Sequence, residues 1–247
     1  MKLLIALQYW EGDREEAFDL LQLLSETTEE KNPYADIAAF ARFDTSLPED
    51  GLLKKLGRSF NKVYAIKGKQ HLIGHPNGCN GLWSSLVEQA YLRSTQSSTS
   101  RPPEWSEYNG VFGIEADGCP ISKDWLSVLS KEWNSLKEKG CSFMGHWLSS
   151  NVEHPEVGHI NGNAVFAMDL LRKVPTVAGT PHAVSWDTYH AKALKAAGWA
   201  NTGVIQSIWN TKTINIDGIE AIRKTGAVYL HGVKDNSVKN YFRSINK

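Results

Sequence analysis

Leu3 to Leu7 is a short continuous apolar run that ends at Gln8 and gives way to the polar Glu11-Gly12-Asp13. A run of that length suits a buried strand. Asp13 and Glu16 stand in capping-box spacing ahead of Ala17, Leu20, Leu21 and Leu24 at helical intervals, so the pattern predicts strand, loop, helix. A second strand is expected through Ile37, Ala39 and Phe40 as far as Asp44, and a third through Val63, Tyr64, Ala65 and Ile66. The turn-rich stretch His75 to Gly81 opens into a helix with Trp83, Leu86, Val87 and Ala90 on one face. Val111 to Ile114 reads as a buried strand that runs straight into Glu115-Ala116-Asp117-Gly118, and a helix from Lys123 to Lys139 follows, stopped by Gly140. Ser142 to Leu148 is the next strand. His159 to Asn163 reads as a polar turn entering an apolar segment. Trp186, Tyr189, His190, Ala193 and Ala197 mark one helix stopped by Gly198. Ala227 to Leu230 reads as a strand, His231 to Asp235 as a loop, and Val238, Tyr241, Phe242 and Ile245 as a terminal helix. Strands separated by helices imply an α/β fold with a mostly parallel sheet, whose right-handed crossovers put ligand sites at the carboxyl ends of the strands.

Length changes little in this picture. A chain of 247 residues, 41% hydrophobic, suits one large domain over residues 1–247, with the polar, proline-ended stretch 94–103 as a surface loop inside it. Charge removes some options, because 27 basic residues balance 27 acidic ones and leave no overall field to draw the chain onto nucleic acid or an anionic membrane. Lys54, Lys55, Arg58, Lys62, Lys67 and Lys69 would form a local phosphate-binding patch if they shared a face. Cys79, Cys119 and Cys141 are odd in number and lack C-x-x-C spacing, which argues against a disulfide framework and a structural zinc. The first apolar run ends without a cleavage site, and no stretch approaches the roughly 20 apolar residues of a membrane span. A cytoplasmic setting is therefore expected. His71 and His75 are four apart, but Gly74 and Pro76 forbid the helix a zincin pair needs. Neither a P-loop, a dinucleotide fingerprint after the first strand nor a G-x-S-x-G elbow occurs, so kinase, dehydrogenase and serine hydrolase readings lack their central groups.

The chemistry that remains gathers at Glu115 and Asp117. Side chains two apart in an extended chain lie on one face, so the two carboxylates can share a hard cation that bridges diphosphate oxygens. An acidic turn with no ligand is the alternative. The stretch Val-Phe-Gly-Ile-Glu115-Ala-Asp117-Gly, late in a buried strand near the middle of the chain, resembles the acidic motif of A-type (GT-A) nucleotide-sugar glycosyltransferases. That resemblance implies a Rossmann-like GT-A fold, with Asp117 as ligand of manganese or magnesium and Glu115 assisting. It also implies a late histidine ligand followed by a lysine on the diphosphate, and His231-Gly232-Val233-Lys234 is similar to that loop. By position, Tyr9, Trp10 and Asp13 are then expected at the nucleotide, Asp44 at the base and Asn80 at the ribose or donor sugar. Gly162 and Asn163 are expected to shape the sugar pocket, with Trp186 as a sugar-stacking platform and Asp187 as the base that deprotonates the acceptor. A base there implies inversion, whereas loops similar to His-Gly-Val-Lys are frequent in retaining families, so both stereochemical outcomes stay open. The implied reaction moves a sugar from a nucleotide diphosphate donor to a hydroxyl on a glycan, small molecule or hydroxymethylated DNA base. Alternatives are a sugar-phosphate nucleotidyltransferase, whose signature after the first strand is absent from Gln8 to Asp13, and a non-catalytic glycan- or nucleic-acid-binding module.

Overall fold

Strand β1 (Lys2–Tyr9) is buried from Leu3 to Tyr9, and its alternate side chains enter two different cores. Leu3, Ile5 and Leu7 join one and Leu4 and Ala6 the other, which places the strand inside a sheet covered on both faces. Each of those leucines contributes about 1.5–3 kcal/mol through burial. The computed structural model describes residues 2–97, 102–149, 158–179 and 183–246, apart from the Trp209 side chain.

Helix α1 (Arg14–Thr27) returns the chain to β2 (Ala35–Ala41), and α2 (Asp50–Ser59) leads to β3 (Val63–Lys67). Helix α3 (Asn77–Thr95) precedes β4 (Tyr108–Glu115) and the short β5 (Gly118–Pro120), and α4 (Trp125–Glu138) precedes β6 (Phe143–Leu148). Then come β7 (His159–Phe166), α5 (Leu170–Lys173), α6 (Trp186–Tyr189), α7 (Ala191–Ala196), β8 (Trp199–Asn201) and β9 (Ile205–Thr211). Helix α8 (Ile216–Lys224), β10 (Tyr229–Val233) and α9 (Ser237–Ile245) complete the order. The main sheet runs β3-β2-β1-β4-β7-β6-β8 and is mostly parallel, its described antiparallel pairings being those of β7 with β4 and β6. A second sheet, β5-β10-β9, stands at the carboxyl end of β4. One face of the main sheet carries Leu20 and Leu24 of α1, Leu129 and Trp133 of α4 and Phe242 of α9, and the other carries Trp83 and Leu86 of α3 with Leu170, Trp186 and Leu194.

The α/β class and parallel sheet expected from the pattern are present, with local corrections. The second strand stops at Ala41, so Arg42 to Asp44 form the turn beyond it. His159 to Asn163 belong to β7: His159 and Ile160 pair with Leu148 and Trp147 of β6, and the strand continues through an irregularity to Ala164, which pairs with both Gly113 of β4 and Gly145 of β6. The helix expected from Trp186 to Ala197 is split into α6 and α7 at His190. His231 to Val233 continue β10, since β9 lies alongside and extends the ladder. Helix α3 runs into the expected loop as far as Thr95, and residues 98–101 of that loop lie outside the described residues.

Candidate metal centre

The parallel strands β1, β2 and β4 end side by side, and the carboxylates at and just beyond the end of β4 meet His231 of the small sheet. Glu115 is the last residue of β4 and Asp117 lies in the turn before β5. That turn closes tightly: a Cβ on Gly118 would stand 2.3 Å from the Tyr229 hydroxyl and 2.9 Å from Asn163 Oδ1, so only glycine fits. Across from it, β10 carries a bulge between His231 and Val233, and Gly232 takes φ +97°, a backbone state open to glycine. The bulge brings His231 Nε2 to 3.1 Å from Glu115 Oε2 and 3.1 Å from Asp117 Oδ1. One ligand atom from each of the three residues lies within 4.8 Å of the other two, the spacing of a shared cation. Lys234 Nζ donates to the other Asp117 oxygen at 2.5 Å.

Electrostatics follow from these contacts. Burial alone would lower the His231 pKa, but hydrogen bonds to Asp117 and Glu115 outweigh it and raise the imidazolium to about 9. Burial pushes Asp117 the other way, yet His231 and Lys234 hold its carboxyl well below the usual range. Asp13 rises to about 6, chiefly by burial and partly by the charge of Glu115, with its bond from the Trp10 N–H opposing the rise.

Asn163 reaches this centre from β7. It is 1% exposed, accepts the Glu115 backbone N–H at 3.0 Å and donates to Glu115 Oε2 at 3.2 Å. Asn161 Oδ1 in turn accepts the Asn163 N–H at 3.1 Å. Asn163 thus clamps the carboxylate, a role that required the strand the sequence pattern had read as a turn. A Cβ on Gly162 would meet Glu115 Oε1 at 3.2 Å and the Trp186 ring at 3.4 Å, so the acidic turn and the start of α6 border one space. Cys79, an exposed residue in the first turn of α3, reports the same convergence. Its thiol is pushed up to about 11, first by the crowding of protein around it and then by the charges of Glu115 and Asp13, with Asp187 contributing further.

The other expected residues divide by what they touch. Trp10 is 46% exposed with the Arg42 guanidinium 5.2 Å from its ring centre, whereas Tyr9 is buried, packs edge-on against Phe18 and donates to the Ser46 carbonyl. Tyr9 is a core residue rather than a stacking surface. Both Asp44 oxygens accept from Arg42, at 2.7 and 2.8 Å, which holds that carboxyl below its ordinary value. Asn80 is buried and ties the backbone of Val184 and Trp186 to α3. Trp186 is 6% exposed and stacks flat on Trp83 with ring centres 3.8 Å apart, so it is core and not an open platform. Asp187 Oδ1 accepts the Thr188 N–H, and Oδ2 lies 3.5 Å from His159 Nε2. Arg42 and Ser207 carried no periodic or motif signal, and His159 was expected only as the start of a polar turn; its approach to Asp187 comes from the tertiary fold.

No family model matches the sequence, and no curated protein matches it. Solved structures do. The bifunctional glycosyltransferase WbbM superposes with a TM-score of 0.57 at 9% identity, over 99% of this chain and 49% of its own. This chain therefore spans about half the length of that protein. Mouse xyloside xylosyltransferase 1 gives 0.51 at 9% identity, over 96% of this chain and 99% of its own. A glycosyltransferase involved in glycosylation of the major capsid of PBCV-1 gives 0.50 at 8%, over 97% and 100%. The fold is GT-A-like. In that GT-A-like fold the acidic turn stands at the carboxyl end of a central strand, where open α/β sheets take their ligands. No helix among the described residues is long and apolar enough to cross a membrane.

Proposed function

We propose that the protein is a metal-dependent glycosyltransferase that moves a sugar from a nucleotide diphosphate-sugar to a hydroxyl acceptor. The observation that carries this reading is the convergence of Glu115, Asp117 and His231 at the strand ends of a GT-A-like fold. Two carboxylates and an imidazole form a ligand set that manganese accepts, with magnesium as the harder alternative. They fit such an ion because Asn163 fixes Glu115 and Lys234 fixes Asp117, so the donor atoms are oriented before it arrives. When bound, the ion supplies charge neutralisation for the departing diphosphate. Lys234 adds a point charge at the same oxygen atoms. Trp10, backed by Arg42, offers an exposed ring to the nucleotide base.

On the other side of the shared space, Asp187 takes the acceptor proton while His159 holds its carboxylate in place. The acceptor oxygen bonds to the anomeric carbon, the carbon–phosphate oxygen bond breaks with its electron pair leaving on the diphosphate, and the proton ends on Asp187. This displacement inverts the anomeric centre. Incubation with a panel of nucleotide sugars, before and after chelation, tests the reading. Metal-dependent release of nucleoside diphosphate is expected, and full turnover after exhaustive EDTA treatment contradicts it. Asp187→Asn keeps the shape and removes the base, so kcat should fall about 10²-fold or more with donor affinity retained. A near-normal kcat, or a product with the donor's anomeric configuration, removes Asp187 from the reaction.

A further inference from the structure

Ser207 lies on β9 directly opposite His231 in the parallel β9–β10 register, so the backbone fixes their approach. Its hydroxyl oxygen is 3.2 Å from Nδ1 of His231, the ring nitrogen that faces away from the carboxylates. Its backbone N–H donates to Nδ1 of His146 on β6 at 2.8 Å, which anchors the serine from its other side. Ser207 is 6% exposed and His231 3%, so bulk water is a poor substitute partner for that ring nitrogen. An imidazole ligates through a nitrogen that carries no proton, and the hydrogen bond at the other nitrogen decides which one that is.

We propose that Ser207 is the positioning residue of the metal centre, accepting the Nδ1–H of His231 so that the Nε2 lone pair is held toward the point shared by Glu115 and Asp117. A serine hydroxyl accepts from a ring N–H and rotates to suit it, so the contact serves the ligating tautomer and fixes the ring plane together. Alanine leaves the Nδ1–H buried without an acceptor and the ring free to turn. The claim rests on the metal reading above, and the test separates the two. Manganese binding is measured without substrate, from the loss of the free-ion electron paramagnetic resonance signal on titrating protein into MnCl2. Wild-type protein should take up manganese, and Ser207→Ala should raise the Kd about 10- to 100-fold, while the metal-free variant still unfolds cooperatively at a somewhat lower temperature. Ser207→Thr keeps the hydroxyl and should restore affinity. Equal affinity of wild type and Ser207→Ala overturns the positioning role while leaving the metal site intact. A threonine variant as weak as the alanine one assigns the effect to packing and also overturns it. If the wild-type protein takes up no manganese, the metal reading falls and this inference with it.

Discussion

Asp36 and Asp117 are both carboxylates withdrawn from solvent at opposite ends of the parallel strands, and their surroundings differ in kind. Asp36, near the amino end of β2, is fully buried and meets only donors: Lys2 Nζ at 3.3 Å, the Tyr108 hydroxyl at 2.8 Å and the Lys62 N–H at 2.9 Å. Its charge is answered completely, which makes it a fastening for the strands around it. Asp117 shares His231 with a second carboxylate, Glu115, and Asp13 stands close enough to feel the same field. Gathering like charges at one point is unfavourable without positive partners, which His231 and Lys234 supply here and a metal ion could supply in their place.

That contrast can be broken most forcefully at Asp36. Asp36→Ala leaves Lys2 and the Tyr108 hydroxyl without their acceptor and should cost about 3–5 kcal/mol of stability in denaturant melts, with kcat per folded molecule unchanged. Asp117→Ala should act chiefly on the reaction, lowering turnover about 10²–10³-fold, with a smaller loss of stability than Asp36→Ala because Glu115 remains to pair with His231. If the two variants behave alike, the distinction between fastening and site is wrong. Trp10→Ala should weaken nucleotide diphosphate binding about tenfold by calorimetry, since stacking a base on an aromatic ring is worth about 1–3 kcal/mol. The smallest effect concerns pH in metal-free protein. The folded His231 value of about 9 lies above its ordinary 6.5, so its contribution is complete below pH 6.5 and lost as pH rises through 9. Thermal melts should therefore fall more steeply between pH 6.5 and 9 for wild type than for His231→Gln, and parallel curves would refute the coupling.

The same contrast explains what could be read from the sequence. The strands announced themselves through continuous apolar runs such as Leu3 to Leu7, and the helices through intervals such as Leu126, Leu129 and Trp133. The acidic turn was legible because its two carboxylates are local to one strand end, and His231 and Lys234 because they share one short segment. Residues whose surroundings are assembled from distant segments were not legible. Trp186 and Tyr9 look like open aromatics in sequence, yet Trp83 and Phe18 cover them. Asn163 looked like part of a sugar-reading turn because nothing local showed that its side chain meets Glu115, 48 residues away in sequence. Ser207 belongs to β9, whose pattern gave no strand signal, so its contact with His231 appears only in the fold.

Diffraction from crystals soaked in MnCl2 with a panel of nucleoside diphosphates, measured at the manganese absorption edge, tests the central claim most directly. An anomalous peak bonded to Asp117 and His231, with the diphosphate upon it, is expected. A nucleotide bound elsewhere, or crystals whose Glu115–Asp117–His231 cluster gathers no manganese at saturating concentration, would contradict it.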